Sequence, residues 1–415
     1  MNELKGYKET EIGLLPIDWE LKSVGTHCIV KARIGWQGLR SDEYLSSGKY
    51  GLITSTDIVD GRVNWGSCCF VSKSRYLQDS NIIVREDDTL VSKDGTIGKV
   101  GIVQNIPFPS TLNSGVFVIR PKFDDIYKKY LAFAFKSVYF QDFINRLTAG
   151  STIVHLYQKD IVNFKFPVPP PLEQRTIAEV LSDVDGLIGA LDKKIAKKRL
   201  IKQGTMQQLL TGKKRLPGFT DDWVDVQIKE LGKWSKGQPF SKDKISRDGK
   251  YLCIHYGELF SYGEVIEDIK SNTDIRPTVK SSGQDVLFPA SDVTPIGLGR
   301  CSALNVKNVL LGGDIIILEV TKDYPAYISY IVNLNKQQII DRVTGTTVKH
   351  INSNLLGEIK INISTDIKEQ QAIATILSDM DKEIADLEAQ RDKYRLLKSG
   401  MMQKLLTGQI RLKTE

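Results

Sequence analysis

The sequence predicts a mixed α/β (α+β) chain. Two globular domains of one fold alternate with two long helices, and the helices pair as an antiparallel coiled coil with internal pseudo-twofold symmetry. Three observations carry this. Residues 173–216 return at 369–412 with a constant offset of 196, no gap and 23 identities in 44 positions, against roughly three expected from ordinary residue usage. Apolar residues in both copies step 4-3-4-3, the spacing of a coiled-coil seam. Between the helices a weaker frame repeats, consisting of a strap, short strands and a Gly-[Ser/Thr]-Thr-x-x-His segment.

Residues 1–170 read as the first globular domain. Gly13-Leu14-Leu15-Pro16-Ile17-Asp18-Trp19 forms a strap, and 50–53, 81–84 and 115–119 are strand-like runs broken by glycines. The stretch 126–147 reads as one helix, with Tyr130, Leu131, Ala134, Phe135, Val138 and Phe143 at core-facing intervals. The first long helix, 171–213, starts from Pro169-Pro170-Pro171, where a ring loses no intrahelical donor. Its seam is Ile177, Leu181, Val184, Ile188, Leu191 and Ile195. It stops at Thr211-Gly212, a glycine just past the last turn.

Residues 214–365 replay the frame. Pro217–Trp223 matches the strap, Asp314–Val320 a late strand, and Gly345-Thr346-Thr347-Val348-Lys349-His350 the segment ending at His155. The second long helix, 366–415, opens with Asp366 and Glu369 spaced as a capping box. Its seam is Ile373, Leu377, Met380, Ile384 and Leu387; it meets Arg391 and resumes with Tyr394, Leu397, Met401 and Leu405. Gly204 and Gly400, each costing ~1 kcal/mol against alanine, recur at one place in both copies and predict a kink or a close helix crossing. About 40 residues at 1.5 Å make each helix a rod of ~60 Å. Trp19 and Trp223, at the strap ends, read as domain-closing core rather than base-stacking platforms.

Hydrophobic residues at 41% and charged residues at 26% are ordinary for a soluble chain of two or three domains. No apolar run is long enough to span a bilayer, and the opening residues lack a signal-peptide pattern. Cys28, Cys68, Cys69, Cys253 and Cys301 show no zinc spacing and fit reduced thiols in the cytoplasm. The net charge of +7 permits a polyanionic partner. Its excess lies in 193–199 and 213–215, as a solvated helix face or a phosphate track. Enzyme motifs are missing: no Gly-x-x-x-x-Gly-Lys-[Ser/Thr] loop and no Asn/Asp-Pro-Pro-Tyr tetrapeptide. Asp341 with Glu358-x-Lys360 has a nuclease-like spacing, but acid-x-Lys also occurs at Glu3, Glu20, Asp192, Asp268 and Asp366. The four histidines show no ligand spacing.

Two variable domains alternate with two repeated helices. Each domain closes on Gly-[Ser/Thr]-Thr-x-x-His, and the first runs through Pro-Pro-Pro-Leu-Glu-Gln into a helix ending in Leu-Leu-Thr-Gly. This arrangement resembles the specificity subunit of type I restriction-modification systems over essentially the whole chain. It departs from the pattern at 363–368, where the prolines are replaced. The resemblance implies two target recognition domains, each binding one half of a bipartite double-stranded DNA site. It also implies a helix pair that sets spacing and docks two methyltransferase subunits. No cofactor is expected on this chain; S-adenosylmethionine would sit on the methyltransferase, and ATP and Mg on a restriction/translocase subunit. No membrane partner is implied. Two other readings stay open: a scaffold joining proteins, and a self-contained nuclease or methyltransferase.

Reading bases in a major groove takes paired donors and acceptors on protruding loops. In the first domain these are Arg33, Trp36, Gln37, Arg40, Lys93, Asp94 and Thr96; in the second, Lys236, Gln238, Lys242, Ser291, Asp292, Thr294 and Arg300. Ser151, Thr152 and His155, with Thr346, Thr347 and His350, form turns whose hydroxyls and backbone donors suit phosphates, or which cap a helix while the histidine packs inside.

Overall fold

A computed structural model describes residues 6–35, 38–149 and 155–412. The chain divides into two compact units, Met1–Ala190 with Arg391–Glu415, and Leu191–Gln390. The division cuts both long helices, Pro171–Leu209 and Ile367–Leu405, so each unit holds one globular domain, the first half of one helix and the last half of the other.

In the first unit a six-stranded sheet has the order Cys28–Lys31, Val116–Pro121, Thr89–Ser92, Val100–Ile102, Arg62–Val63, Ile58–Val59. Its only parallel step joins Val100–Ile102 to Arg62–Val63. Leu90, Val91 and Val116–Ile119 are buried whichever face they point to, which is why these strands read as unbroken apolar runs rather than alternations. The second unit repeats the plan without the last strand: Gly232–Lys236, Ile315–Val320, Asp285–Pro289, Ser302–Leu304, Val265–Ile266, with the parallel step between the last two. In each unit the strand after the strap pairs with the strand that feeds the long helix. These pairs are Glu20–Ser23 with Lys165–Val168, and Trp223–Gln227 with Lys360–Ser364.

Within each unit the two helix halves run antiparallel. Ile177, Ala178 and Leu181 share the first unit's core with Leu405 and Leu406; Ile373, Ala374 and Leu377 share the second's with Leu209 and Leu210. Leu191, Ile195, Ile384 and Leu387 are buried, and Val184, Ile188 and Met380 half-buried. Beyond Ile195 and Arg391 the seam turns polar. The inward places fall to Lys202 and Lys398, not to Leu397, which is 50% exposed. The lysine stems lie along the packed surface while their ammonium groups meet Asp381 and Asp185, the second at 2.6 Å. Desolvation raises the Asp381 carboxyl above its ordinary range, although Lys202 and the Tyr330 hydroxyl both donate to it.

The Glu-Gln pair opening each helix is a lock. Glu173 accepts both forks of Arg411 (2.6 and 2.7 Å) and the indole N–H of Trp19 (3.1 Å). Glu369 accepts Arg215 (2.7 and 2.9 Å), Trp223 (3.2 Å) and the Ser364 hydroxyl (2.5 Å). Both carboxylates are almost wholly buried, and a buried charge of this kind is tolerated only when paired and hydrogen-bonded. The neighbouring glutamines cap a domain helix instead: Tyr127 N donates to Gln174 and Tyr324 N to Gln370, each at 2.8 Å. Arg215 is thereby committed inside the fold rather than to a phosphate track.

Other expectations change. The helix over 126–147 is two, Lys128–Ala134 and Val138–Thr148, because Ser137 Oγ donates back to Ala134 O (2.6 Å) and closes the first. Residues 81–84 are not a strand; the Asp79 carboxylate accepts Asn81 N–H (2.9 Å) and winds Ser80–Ile82 into a short turn. Only half of the capping box forms. Asp366 accepts Lys368 N–H (2.7 Å), while Glu369 is held by Arg215. A Cβ built on Gly204 or Gly400 meets no atom within 4 Å, so among the described residues neither serves a close crossing. Gly212 and Gly408 do take left-handed conformations, φ +66° and +71°, at the helix ends.

Candidate nucleic-acid interface

In the first unit the central strand Thr89–Ser92 runs out into a tight turn over 93–99. Ser92 Oγ donates to Thr96 O (2.6 Å) and accepts Lys99 N–H (2.9 Å), and Gly95 and Gly98 supply the positive φ values the turn requires, +71° and +75°. This fixed turn presents Lys93, Asp94 and Thr96. His155 lies against it: Leu156 N donates to Lys93 O (3.0 Å), and His155 Nδ1 sits 2.9 Å from Asp94 Oδ1. Lys93 Nζ stands 3.6 Å from the same carboxylate. All three side chains keep a quarter to a half of their surface in solvent.

The second unit builds the equivalent place differently. Its central strand Asp285–Pro289 continues to Ser291–Asp292, which pairs antiparallel with Lys349–His350. Thr294 Oγ1 donates to Asp292 (3.0 Å) and accepts Gly297 N–H (3.1 Å), holding the turn. Thr344 and His350 exchange backbone hydrogen bonds, and Gly345 (φ +100°) turns the chain so that Thr346 and Thr347 stand exposed at the tip. Lys236 lies 4.0 Å from Asp314, which also receives the Ser291 hydroxyl (3.4 Å). Lys349, missed in the sequence although it adjoins His350, and the exposed Val293 and Ile296 complete this surface.

The structure therefore brings together residues singled out separately: Lys93, Asp94 and Thr96 with His155, and Ser291, Asp292 and Thr294 with His350 and Lys236. It sets others apart. Arg33 is buried, its guanidinium donating to Leu112 O (2.9 Å), Gln78 and Thr111. Arg300 donates to Phe260 O and Tyr262 O (3.0 and 2.5 Å). Gln238 accepts Thr278 through both N–H and hydroxyl (2.6 and 2.7 Å). These three have their hydrogen-bonding capacity turned inward. Arg40 and Lys242 are exposed on short turns. Trp36, Gln37, Ser151 and Thr152 lie outside the described residues.

Each cluster offers a lysine ammonium beside a carboxylate and hydroxyls, a mixed set of donors and acceptors of the kind that distinguishes base edges. Among the described residues no group of His, Cys, Asp and Glu is placed to hold a metal ion. None of their helices is long and apolar enough to cross a membrane.

Comparison with known proteins places this architecture. The family described as type I restriction modification DNA specificity domain matches the chain twice, at residues 16–198 and 220–394. The type I restriction enzyme MjaVIII specificity subunit of Methanocaldococcus jannaschii is 26% identical, over 99% of this chain and 97% of its own. The putative MjaX specificity subunit of the same organism is 25% identical, over 99% and 98%. Among solved structures, the S subunit of a type I restriction-modification system from M. genitalium superposes with a TM-score of 0.66 at 16% identity, covering 94% of this chain and 96% of that one. That likeness establishes the fold.

Proposed function

We propose a function from the premise that this chain belongs to the type I restriction-modification DNA specificity family. It is a specificity subunit. Each globular domain reads one half of a bipartite double-stranded DNA site. The helix pair sets the spacing between the halves and docks two methyltransferase subunits. The chain itself performs no chemistry: S-adenosylmethionine belongs to the methyltransferase, and ATP and Mg to a restriction/translocase subunit where one joins. Our domain reading assigns 1–170 and 214–365 to target recognition and 171–213 and 366–415 to the spacer.

The observation that supports this most is the recurrence of one site plan with different residues on it. Lys93, Asp94 and Thr96 stand on the turn after the central strand of one unit, with His155 against it. Ser291, Asp292 and Thr294 take that place in the other, with Lys349 and His350 on the strand paired to them. One fold bearing two different sets of donors and acceptors is what reading two different half-sites requires. Arg40, Lys236, Lys242, Thr346 and Thr347 join the proposed contacts as exposed groups; Trp36, Gln37, Ser151 and Thr152 remain proposed on sequence alone. Rods of ~60 Å against ~3.4 Å per base pair limit the separation to at most ~17 base pairs, enough for two modules about one helical turn apart.

Four residues inserted near Lys193 lengthen the first rod by about 6 Å, nearly two base pairs. The methylated motif is then expected to change its spacer and keep both half-site sequences. Altered half-sites with an unaltered spacer contradict the proposal.

A further inference from the structure

The second unit's polar cluster has an apolar tip. Val293 is 72% exposed and Ile296 75%, and Val348 keeps 44% of its surface in water. The pairing of Ser291 with His350 and of Asp292 with Lys349 brings the next residues outward on the two strands, Val293 and Val348, to neighbouring positions. Ile296 follows in the short helix Pro295–Leu298, whose Leu298 is buried in the unit's core. The tip is fixed. Thr294 Oγ1 donates to Asp292 and accepts Gly297 N–H (3.1 Å), and a Cβ on Gly297 would collide with the Asp292 carboxylate. Valine and isoleucine add side chains with few rotamers. In the first unit the apolar residue of the matching turn, Ile97, packs against the core instead.

Three aliphatic side chains held together in water add nothing to the fold and mark a contact. Phosphates and sugars offer them no partner, because contacts there are hydrogen bonds and ion pairs. A base edge does offer one: the C5-methyl of thymine, which lies in the major groove. The shape agrees. Ser291–Asp292 and Lys349–His350 form a two-stranded ribbon, and the major groove, about 12 Å wide, admits such a ribbon, while the minor groove is about half that width. The polar groups beside the tip fit the rest of an A·T pair. The Asp292 carboxylate suits the adenine amino group, and the exposed Thr346 and Thr347 hydroxyls suit adenine N7 and thymine O4.

We infer that Val293, Ile296 and Val348 are a methyl-reading tip that recognises thymine in the second unit's half-site, an inference that rests on the recognition reading above. The tip selects thymine over cytosine by burying a methyl group. One such group taken out of water is worth about fourfold in affinity.

The test uses the assembled methyltransferase complex and duplex DNA bearing its full motif. Each thymine of both halves is replaced, one at a time, by deoxyuridine, which removes the methyl and keeps every hydrogen-bonding group. The wild-type complex loses about fourfold in affinity at one thymine or more of one half. Val293→Thr with Ile296→Thr puts hydroxyls where the tip has methyl groups. This variant binds thymine DNA more weakly by a similar factor, and at those positions no longer distinguishes uracil from thymine. Both residues are exposed, so the free variant melts as the wild type does, and its response to uracil in the other half is unchanged. Uracil tolerated by the wild type at every thymine overturns the proposal. So does a variant that still distinguishes uracil as the wild type does, because the methyl is then read elsewhere. A variant weakened equally on all DNA, with the uracil effect intact, makes the tip a wedge or a protein contact; the assignment falls and the half-site reading stands. A wild-type complex with no preference for the motif overturns the recognition reading, and the tip with it.

Discussion

Glu369→Gln should cost the second unit about 3 kcal/mol, the lower end of what breaking a buried ion pair costs, and lower its melting point by roughly 6–12 °C. The carboxylate is almost wholly buried and satisfies Arg215, Trp223 and Ser364 together. The neutral amide keeps the shape but leaves the guanidinium without its counter-charge. Glu173→Gln is expected to cost less, about 1.5 kcal/mol, the scale of one hydrogen bond to a charged group. Arg411 retains a second bidentate partner in Asp18, at 2.9 and 2.7 Å, whose carboxyl that bond holds below its ordinary range. Hydrogen exchange at Trp223–Gln227 and at Glu20–Ser23 reads the two units separately. Equal effects, or effects below about 0.5 kcal/mol, show that the lock is not what joins domain to helix.

Replacing Asp94 and His155 together by alanine should erase discrimination at the first half-site and spare the second. The pair is partly exposed and held on a turn that Ser92 fixes, so the loss falls on recognition rather than on folding. Each base pair read by such a cluster contributes about 1–3 kcal/mol of discrimination, a factor of roughly 5 to 150 in relative affinity. Asp292→Ala with Lys349→Ala is the mirror experiment. Competition between DNA bearing the intact motif and DNA altered in one half measures both. Discrimination lost equally at both halves, or at neither, removes these clusters from base reading.

The rods, their seam and the likeness of the two domains were legible because each is a matter of spacing. An offset of 196 and a 4-3-4-3 step need no knowledge of what lies across space. What spacing alone does not show depends on tertiary partners. Arg33, Gln238 and Arg300 have the chemistry of base readers, but carbonyls and hydroxyls up to 79 residues away consume their donors and acceptors. Leu397 looked like the seam because it is apolar. The inward place belongs to Lys398, whose partner Asp185 lies 213 residues away. Glu173 and Glu369 were seen as a family signature, and their role as counter-ions appears only when Trp19 with Arg411, and Trp223 with Arg215, close on them. Asp94 and His155 were found singly; their meeting 61 residues apart is a fact of the fold.

The central claim is that this chain gives a methyltransferase its two-part target. The measurement that tests it most directly is a single-molecule methylation map of host DNA with the gene intact and deleted. The account predicts that deletion removes one interrupted motif, methylated at an adenine in each half. An unchanged map, or the loss of an uninterrupted motif, contradicts it.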